Sequence, residues 1–402
     1  MPCYTSNNTN LEREYVKKIR IFDTTLRDGE QSAHCTMYID EKISIARQLE
    51  KINVDVIEAG FAVASKENFE TMRDISKVVS KPYLCGLARG KQEDIDATYE
   101  ALKSYEKRMI HIFVPTSKIQ IKAKMNKNDD EIIEMASSSV RYAKKYFDKI
   151  EFTAEDTVRT DFDMLKQIYS EVLKEKADII NVADTVGCAY PSDFGNLVHK
   201  IKDFVKNINP NAAISVHCHN DLGMALANSL AAIENGVEQI ECTINGIGER
   251  AGNCSLEQIV AWSIIRPEFF KTNVDPSEIY KASEMVKKAT GTRNDFAPVV
   301  GEAVFSHKAG IHQQGVINNG RSYEVIIPEI FGRKTEIVIG PHSGYHGMIT
   351  KASELGFGIT KEEASEIIKE ISEIVRKKKQ KRFSDEDIKE LLKKRGRKRE
   401  PR

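Results

Sequence analysis

The sequence predicts an α/β fold, a (β/α)8 TIM barrel followed by a mostly helical C-terminal region. Short β-branched runs alternate with longer segments of helical periodicity until about Ile265–Pro267, where the pattern stops. Eight such units span about 250 residues, the size of a single barrel. No GxGxxG segment follows the first strand, which argues against an open doubly wound sheet. We therefore predict a TIM-barrel domain over residues 1–270 and helical subdomains with a basic tail over residues 271–402.

Each strand candidate is a short apolar run bounded by polar or turn-forming residues. The eight candidates are Lys18–Phe22, Val54–Glu58, Pro82–Gly86, Met109–Val114, Ile150–Thr153, Asp178–Val182, Ala213–His217 and Gln239–Thr243. The intervening helix candidates are Glu41–Lys51, Lys66–Val79, Asp94–Tyr105, Asp129–Tyr146, Asp161–Glu175, Asp193–Val205 and Ala225–Asn235. Strict alternation of the two kinds of segment is typical of a parallel sheet.

Two helix starts are predicted in the C-terminal third. Thr360 and Glu363 form a capping-box pattern before the helix 364–375. Ser384 is a suitable N-cap for a helix over 385–395, whose apolar side chains fall on one face.

Lys+Arg and Asp+Glu are equal at 60 each, so the formal net charge is +0. Segment 376–402 nevertheless carries a net charge of +9. Phe383 is the one aromatic residue among its charges, too few for base stacking, so we expect a solvated helix there and no nucleic-acid contact. Seven scattered cysteines, without a CxxC pair, a secretory signal or a membrane-length apolar run, predict a cytoplasmic protein with reduced thiols.

Reactive groups of such barrels lie at the C-terminal ends of the strands. The first strand runs into Arg27, Asp28 and Gln31, and the seventh ends in His217-Cys218-His219. Side chains two apart on a strand share a face, so both imidazoles can reach the barrel mouth together. Two histidines and an aspartate suit Zn²⁺, Mn²⁺ or a similar divalent ion.

Three further loops add polar groups to the same rim. FTAED follows the fifth strand, ADTVG the sixth and NGIGERAGN the eighth. The last of these is glycine-rich but lacks the Lys-Ser/Thr pair of a P-loop. We expect it to fold tightly over the barrel mouth, with Glu249 and Arg250 paired to each other.

These segments together resemble the isopropylmalate synthase and homocitrate synthase family of metal-dependent Claisen-condensing enzymes. The motifs that carry the resemblance are FDTTLRDGEQS, CGLAR, FTAED, ADTVG, HCHNDLGMALAN, NGIGERAGN and KAGIHQQGV. The resemblance implies an acyltransferase that joins acetyl-CoA to a 2-keto acid and releases CoA. It also implies a homodimer with an active site shared between subunits.

The resemblance assigns roles to the matching positions. The implied metal ligands, for Mn²⁺, Mg²⁺ or Zn²⁺, are Asp28, His217, His219 and Asn253. The implied substrate-binding residues are Gln31, His111, Thr153, Asn181 and Thr185. The implied catalytic residues are Arg27 at the keto oxygen, Glu155 in proton handling, and His312 with Tyr323 reaching a neighbouring subunit. Either His312 or Glu155 could remove the thioester methyl proton.

The resemblance is closest to the isopropylmalate synthase branch. It favours 2-oxoisovalerate as the keto acid, then pyruvate (a citramalate synthase) and then 2-oxoglutarate (a homocitrate synthase). Ala62 and Gln120 depart from the branch pattern, which has proline and histidine there. Few substitutions can move such specificity, since one methylene is worth only about 1–3 kcal/mol.

Only residues 348–402 follow the segment HSGYHG. We therefore expect that the large C-terminal regulatory domain of many relatives is missing, together with leucine inhibition through it. A lyase acting on 3-hydroxy-3-methylglutaryl-CoA is a remoter reading, because NGIGERAGN lacks a cysteine. A carboxyltransferase is disfavoured by the lack of a matching lysine motif, and a non-catalytic binding protein by the complete set of polar residues.

Overall fold

A computed structural model describes residues 16–33, 35–378 and 383–395. The chain divides into two compact units on either side of Arg293. This division lies beyond the predicted boundary at residue 270, because helix α10 (Ile279–Thr290) packs against helix α1 (Ile39–Lys51) of the barrel. The first unit therefore includes a helix that the sequence pattern assigned to the second.

The first unit is a closed barrel of eight strands, as predicted. Each strand pairs in parallel with the next, and the first pairs with the eighth. The strands are β1 (Arg20–Asp23), β2 (Val56–Glu58), β3 (Tyr83–Arg89), β4 (Arg108–Pro115), β5 (Lys149–Glu155), β6 (Ile179–Asp184), β7 (Ala213–Cys218) and β8 (Gln239–Cys242). All eight strand candidates are confirmed, with ends shifted by a few residues.

Helices follow the strands and cover the outside of the barrel. They are α1, α2 (Lys66–Ile75), α3 (Gln92–Leu102), α4 (Lys118–Lys124), α5 (Asp129–Ala143), α6 (Phe162–Lys174), α7 (Pro191–Ile208), α8 (Ala225–Glu234), α9 (Leu256–Ile265) and α10. Local capping fixes several starts: the side chain of Ser65 accepts from the Asn68 amide, and Asn128 forms a capping box with Glu131. The short helix α4 lies within the β4–α5 connection, where the sequence pattern indicated no element.

The second unit is mostly helical, as predicted. Its elements are β9 (Ser306–His307), α11 (Gly310–Asn318), β10 (Glu336–Ile337), α12 (Tyr345–Glu354), α13 (Lys361–Lys378) and α14 (Asp385–Lys394). The predicted capping box before α13 forms through reciprocal hydrogen bonds of Thr360 and Glu363. Ser384 caps α14, which buries Ile388, Leu391 and Leu392 in an apolar cluster with α12 and α13.

Two further findings concern the cysteines and the helices. Cys35, Cys85, Cys188, Cys218, Cys242 and Cys254 are free thiols. Within the described ranges, the structure contains no helix long and apolar enough to span a bilayer.

The predicted basic tail falls partly on residues 379–382 and 396–402, which lie outside the described residues.

Candidate active site

A cavity of about 250 Å³ opens at the C-terminal ends of the barrel strands. It is lined by most of the side chains that the sequence singled out: Arg27, Asp28, Gln31, His111, Thr153, Glu155, Asn181, Thr185, His217 and His219. The fold explains this convergence, because parallel strands of a closed barrel all end on the same face.

Asp28, His217 and His219 form a compact ligand cluster at the floor of the cavity. One ligand atom from each lies within 4.8 Å of the other two, and all three side chains are buried. His217 lies on β7 and His219 just beyond it, so their side chains point to the same face. The buried side chain of Cys218, between them, points to the opposite face.

The two imidazoles are held with the same ring nitrogen toward Asp28. Nδ1 of His217 lies 2.8 Å from Oε2 of Glu241, and Nδ1 of His219 lies 3.2 Å from the Gly252 carbonyl oxygen. These acceptors place the proton on Nδ1 and leave each Nε2 lone pair for a ligand. The Nε2 atoms lie 4.0 and 3.9 Å from Oδ2 of Asp28.

The charges of the cluster suit a cation. Burial lowers the pKa of both His217 and His219 to about 4, so both are neutral at physiological pH. Burial also opposes the charge of Asp28, but attraction to Arg27, and to the two histidines once acid protonates them, outweighs it and holds the pKa of Asp28 well below its usual range. A carboxylate beside two neutral imidazoles is the state that metal binding requires.

Asn253 completes the cluster from the β8–α9 loop. Its Nδ2 donates to Oδ1 of Asp28 at 2.8 Å and to the Ile247 carbonyl at 3.1 Å. Its Oδ1 is buried and has no hydrogen-bond partner in the part of the chain described. A Cβ at Gly248 would overlap both the Asn253 amide and the Asp28 carboxylate, so this loop approaches the cluster as closely as glycine allows. The donor set and the unpartnered oxygen fit a divalent ion.

Arg27 is a buried, permanently charged group beside the cluster. Its Nη1 lies 2.6 Å from Asp28 Oδ2, and its Nε lies 2.6 Å from Oε2 of Glu58, which also accepts from Thr24 Oγ1. Burial disfavours the charge, but attraction to Glu58 and Asp28 outweighs it and raises the pKa of Arg27. These bonds direct the guanidinium at the space above the ligand cluster.

His111 lies next to this network on β4. Its Nδ1 lies 2.9 Å from Oε1 of Glu58, and its Nε2 lies 2.6 Å from Oγ1 of Thr153. Burial opposes a charge on His111, but attraction to Glu241 and a hydrogen bond to Glu58 raise its pKa to about 9. His111 is therefore a second cation at neutral pH, and both of its ring nitrogens are donors.

The sequence patterns missed the three buried glutamates of the barrel interior. Glu58, Glu151 and Glu241 are at most 1% exposed, and each lies within an apolar strand. That placement is a usable signal, because an unpaired charge is rarely buried inside a sheet.

The predicted pair of Glu249 with Arg250 is wrong. Arg250 instead binds Asp221 with two hydrogen bonds, at 2.7 and 2.9 Å, and the carbonyl of Thr185 at 2.9 Å. The backbone of Arg250 has a positive φ of 56°, which turns its side chain across the rim toward these loops. The backbone amide of Glu249 donates to Asp28.

The substrate-binding candidate Thr185 and the catalytic candidate Glu155 also line the cavity. Oγ1 of Thr185 is buried and, among the described residues, has no hydrogen-bond partner. Glu155 is ion-paired with Lys124 of α4 at 2.8 Å. The side-chain nitrogen of Gln120 donates to Oε1 and Oε2 of Glu155, at 3.2 and 3.1 Å. Helix α4 thus covers this carboxylate from the side where the branch pattern has a histidine.

His312 and Tyr323 belong to the second unit. His312 lies on the exposed face of α11, and its ring stacks on Tyr323 with 4.2 Å between the ring centroids. Gly315 makes this contact possible, because a Cβ there would approach the Tyr323 ring to 2.6 Å. The two predicted catalytic residues of this unit are therefore brought together.

The chain matches two described families. The HMGL-like family matches residues 18–286, which cover the barrel. The homocitrate synthase post-HMGL domain-like family matches residues 299–379 of the second unit.

Curated relatives align with almost the whole chain. A 2-isopropylmalate synthase of Dictyoglomus turgidum is 46% identical over 93% of this chain and 74% of its own length. The 2-isopropylmalate synthase of Pyrococcus furiosus is 44% identical over 90% of this chain and 73% of its own. The chain thus spans about three quarters of the length of these relatives.

Solved structures share the barrel at much lower identity. A Bacillus subtilis HMG-CoA lyase has a TM-score of 0.59 at 19% identity and covers 69% of this chain and 95% of its own. The carboxyl transferase domain of Rhizobium etli pyruvate carboxylase has a TM-score of 0.53 at 20% identity, covering 69% of this chain and 48% of its own. At such identity these structures confirm the fold alone.

Proposed function

Because the chain belongs to the HMGL-like family, we propose that it is a 2-isopropylmalate synthase that condenses acetyl-CoA with 2-oxoisovalerate and releases CoA. One observation carries the proposal. Arg27, Asp28, His217 and His219 meet in a single cavity of a chain that is 46% identical to a 2-isopropylmalate synthase. The proposal includes the assignment of Mn²⁺, Mg²⁺ or Zn²⁺ to the ligand cluster.

The chemistry follows from the side chains around this cluster. Asp28, His217, His219 and Asn253 hold the divalent ion, which when bound makes the keto carbon electrophilic. Arg27 faces the same space and stabilises the negative charge that develops on the keto oxygen. The unpartnered hydroxyl of Thr185 at the rim is a donor for the substrate carboxylate.

Proton removal from the thioester methyl group is assigned to His312 of a second copy. Glu155, which is ion-paired with Lys124, is assigned to ordering the acetyl group. Tyr323 stacks on the His312 ring and fixes its orientation.

The shape of the cavity favours a branched aliphatic keto acid. Its wall includes the apolar side chains of Phe61, Leu87 and Phe113. The second carboxylate of 2-oxoglutarate would need a cation, but Arg27, Arg250 and His111 are all already paired with carboxylates. The same apolar wall would leave space unfilled beside the methyl group of pyruvate.

Exposed apolar surface supports the homodimer that a shared active site requires. Large apolar side chains are exposed on the βα face of the barrel, namely Tyr38, Ile119, Tyr190 and Leu222. On the second unit, Ile311 is 79% and Val325 60% exposed beside His312 and Tyr323. Such apolar surface favours association between copies. We place the enzyme in the cytoplasm, where its free thiols stay reduced.

The test is CoA-thiol release from acetyl-CoA with Mn²⁺ or Mg²⁺ and each of the three keto acids in parallel. Release that depends on 2-oxoisovalerate and is abolished by EDTA supports the proposal. Release with pyruvate or 2-oxoglutarate alone would assign the chain to a citramalate or homocitrate synthase. No release with any of them would overturn the synthase assignment.

A further inference from the structure

Glu241 is a buried carboxylate that contacts residues of two different parts of the site. Its Oε2 accepts from Nδ1 of the metal ligand His217 at 2.8 Å. Its Oε1 accepts a short hydrogen bond from Nδ2 of Asn181, which lines the keto-acid side of the cavity. Nδ1 of His111 lies 3.9 Å from the same Oε1.

The barrel itself sets this arrangement. The parallel register of β7 and β8 places Glu241 directly opposite His217, and their side chains share the inner face. Glu241 is 1% exposed, so water does not compete for its two oxygens. Oε2 therefore holds the His217 ring, and Oε1 holds the Asn181 amide.

We propose that Glu241 is a positioning residue that joins the metal ligands to the keto-acid pocket. Through Oε2 it fixes the His217 ring with Nε2 toward Asp28, and through Oε1 it fixes the Asn181 amide beside His111. The inference deepens the proposed function and rests on it. Carboxylates that bind the second nitrogen of a metal-ligating histidine orient the ring and raise its basicity.

The test substitution is Glu241→Gln, which keeps the size of the side chain. One of its two terminal atoms becomes a donor, so it can accept from His217 or from Asn181 but not from both. Glu151→Gln is the matched control. Glu151 is also buried in the barrel interior and neighbours Glu241. Its hydrogen bond, however, is to Gln239 and not to His217 or Asn181, and it does not line the cavity.

The first measurement is the affinity for Mn²⁺ alone, by calorimetry on the metal-free full chain. We expect Glu241→Gln to weaken Mn²⁺ binding about 10–100-fold and Glu151→Gln to leave it within about twofold of wild type. The second measurement is steady-state kinetics at saturating Mn²⁺, where Glu241→Gln should raise the KM for the keto acid more than the KM for acetyl-CoA. Glu241→Asp, which withdraws the carboxylate by one methylene, serves as a second variant if Glu241→Gln does not fold.

Wild-type Mn²⁺ affinity in the folded Glu241 variants overturns the proposal, and so does an equal loss in Glu151→Gln, which would show general damage to the interior. Failure of the proposed function is distinguishable, because the wild-type chain would then bind Mn²⁺ without turning over any keto acid, or would bind none.

Discussion

Single residues in the barrel interior owe their charge state to their neighbours. His217 and His219 are neutral because burial disfavours the imidazolium, whereas His111, equally buried, is charged because Glu58 and Glu241 face it. The three histidines thus divide into two proposed metal ligands and a hydrogen-bond donor. Composition alone cannot assign these roles, because the residue type is the same.

Asp28→Ala should abolish metal binding. The substitution removes the only carboxylate of the ligand cluster and leaves Arg27 without one of its two partners. We expect a loss of Mn²⁺ affinity greater than the about 10–100-fold typical of an outer-shell residue, measured by calorimetry. Asp221→Ala, at the rim, is the control, and equal losses in the two variants would contradict the assignment of Asp28.

Glu151 predicts a pH-dependent stability. Burial, and then repulsion from Glu241, raise its pKa from 4.5 to about 8. The folded state therefore binds this proton more tightly than the unfolded state, and the free energy of unfolding falls as pH rises from about 4.5 through 8. Glu151→Gln removes this titration, so its free energy of unfolding should fall less between pH 5 and pH 8.

Urea unfolding at pH 5 and pH 8 measures the difference. Asp23 and Glu257, whose pKa values burial raises to about 7, contribute equally to both proteins. Glu100→Gln, at an exposed ion pair of α3, should behave like wild type. Parallel pH dependences of wild type and Glu151→Gln would show that Glu151 is ionised in the folded protein.

At the scale of elements, the loops after β6, β7 and β8 are tied together over the site. Arg250 joins them by holding Asp221 with two hydrogen bonds and the Thr185 carbonyl with a third. The Asn220 amide adds a bond to the Gly252 carbonyl. The hydroxyl of Thr185 is therefore positioned by a loop distant in sequence.

Arg250→Met should weaken keto-acid binding. Without the guanidinium the β6 loop loses its bond to the β8 loop, and the KM for the keto acid should rise on the order of tenfold, as expected for lost charge-assisted hydrogen bonds. The KM for acetyl-CoA and the melting temperature should change little. Arg141→Met breaks a similar ion pair on the outer surface of α5 and is the control. An unchanged keto-acid KM in Arg250→Met would refute the positioning of Thr185.

Helix α14 has the N-cap and the apolar face that the sequence pattern predicted. The expectation that the basic tail makes no nucleic-acid contact stays a prediction. The structure buries Leu392 and its apolar neighbours against α12 and α13. Arg395 pairs with Glu366 and Glu370 of α13, so part of the local positive charge is already neutralised within the unit.

At the scale of the whole molecule, the proposed dimer predicts complementation between inactive variants. Asp28→Ala disables the barrel site and His312→Ala disables the residue donated to it. If the site is shared, mixing the two and allowing subunit exchange should restore about a quarter of the wild-type rate, since random pairing leaves one intact site in half of the dimers. Each variant alone should remain inactive.

The same mixing experiment also shows whether the active site is instead formed within a single chain. If no activity returns although sedimentation shows dimers and exchange of subunits, His312 acts within its own chain. An active monomer would contradict the dimer itself. Either result leaves the assignment of the metal ligands intact.

The amino-acid sequence by itself determined the barrel, because alternating apolar strands and amphipathic helices leave few other ways to bury their faces. It also determined the ligand cluster, since the HxH spacing on β7 and the carboxylate after β1 place three donors at one face of any such barrel. Only the tertiary structure decided which charged side chains pair with each other. Glu58, Glu151 and Glu241 read as parts of ordinary strands, and Arg250 read as a partner of its neighbour Glu249. Their partners are far away in sequence, and only closure of the barrel brings Glu241 to His217 and Arg250 to Asp221.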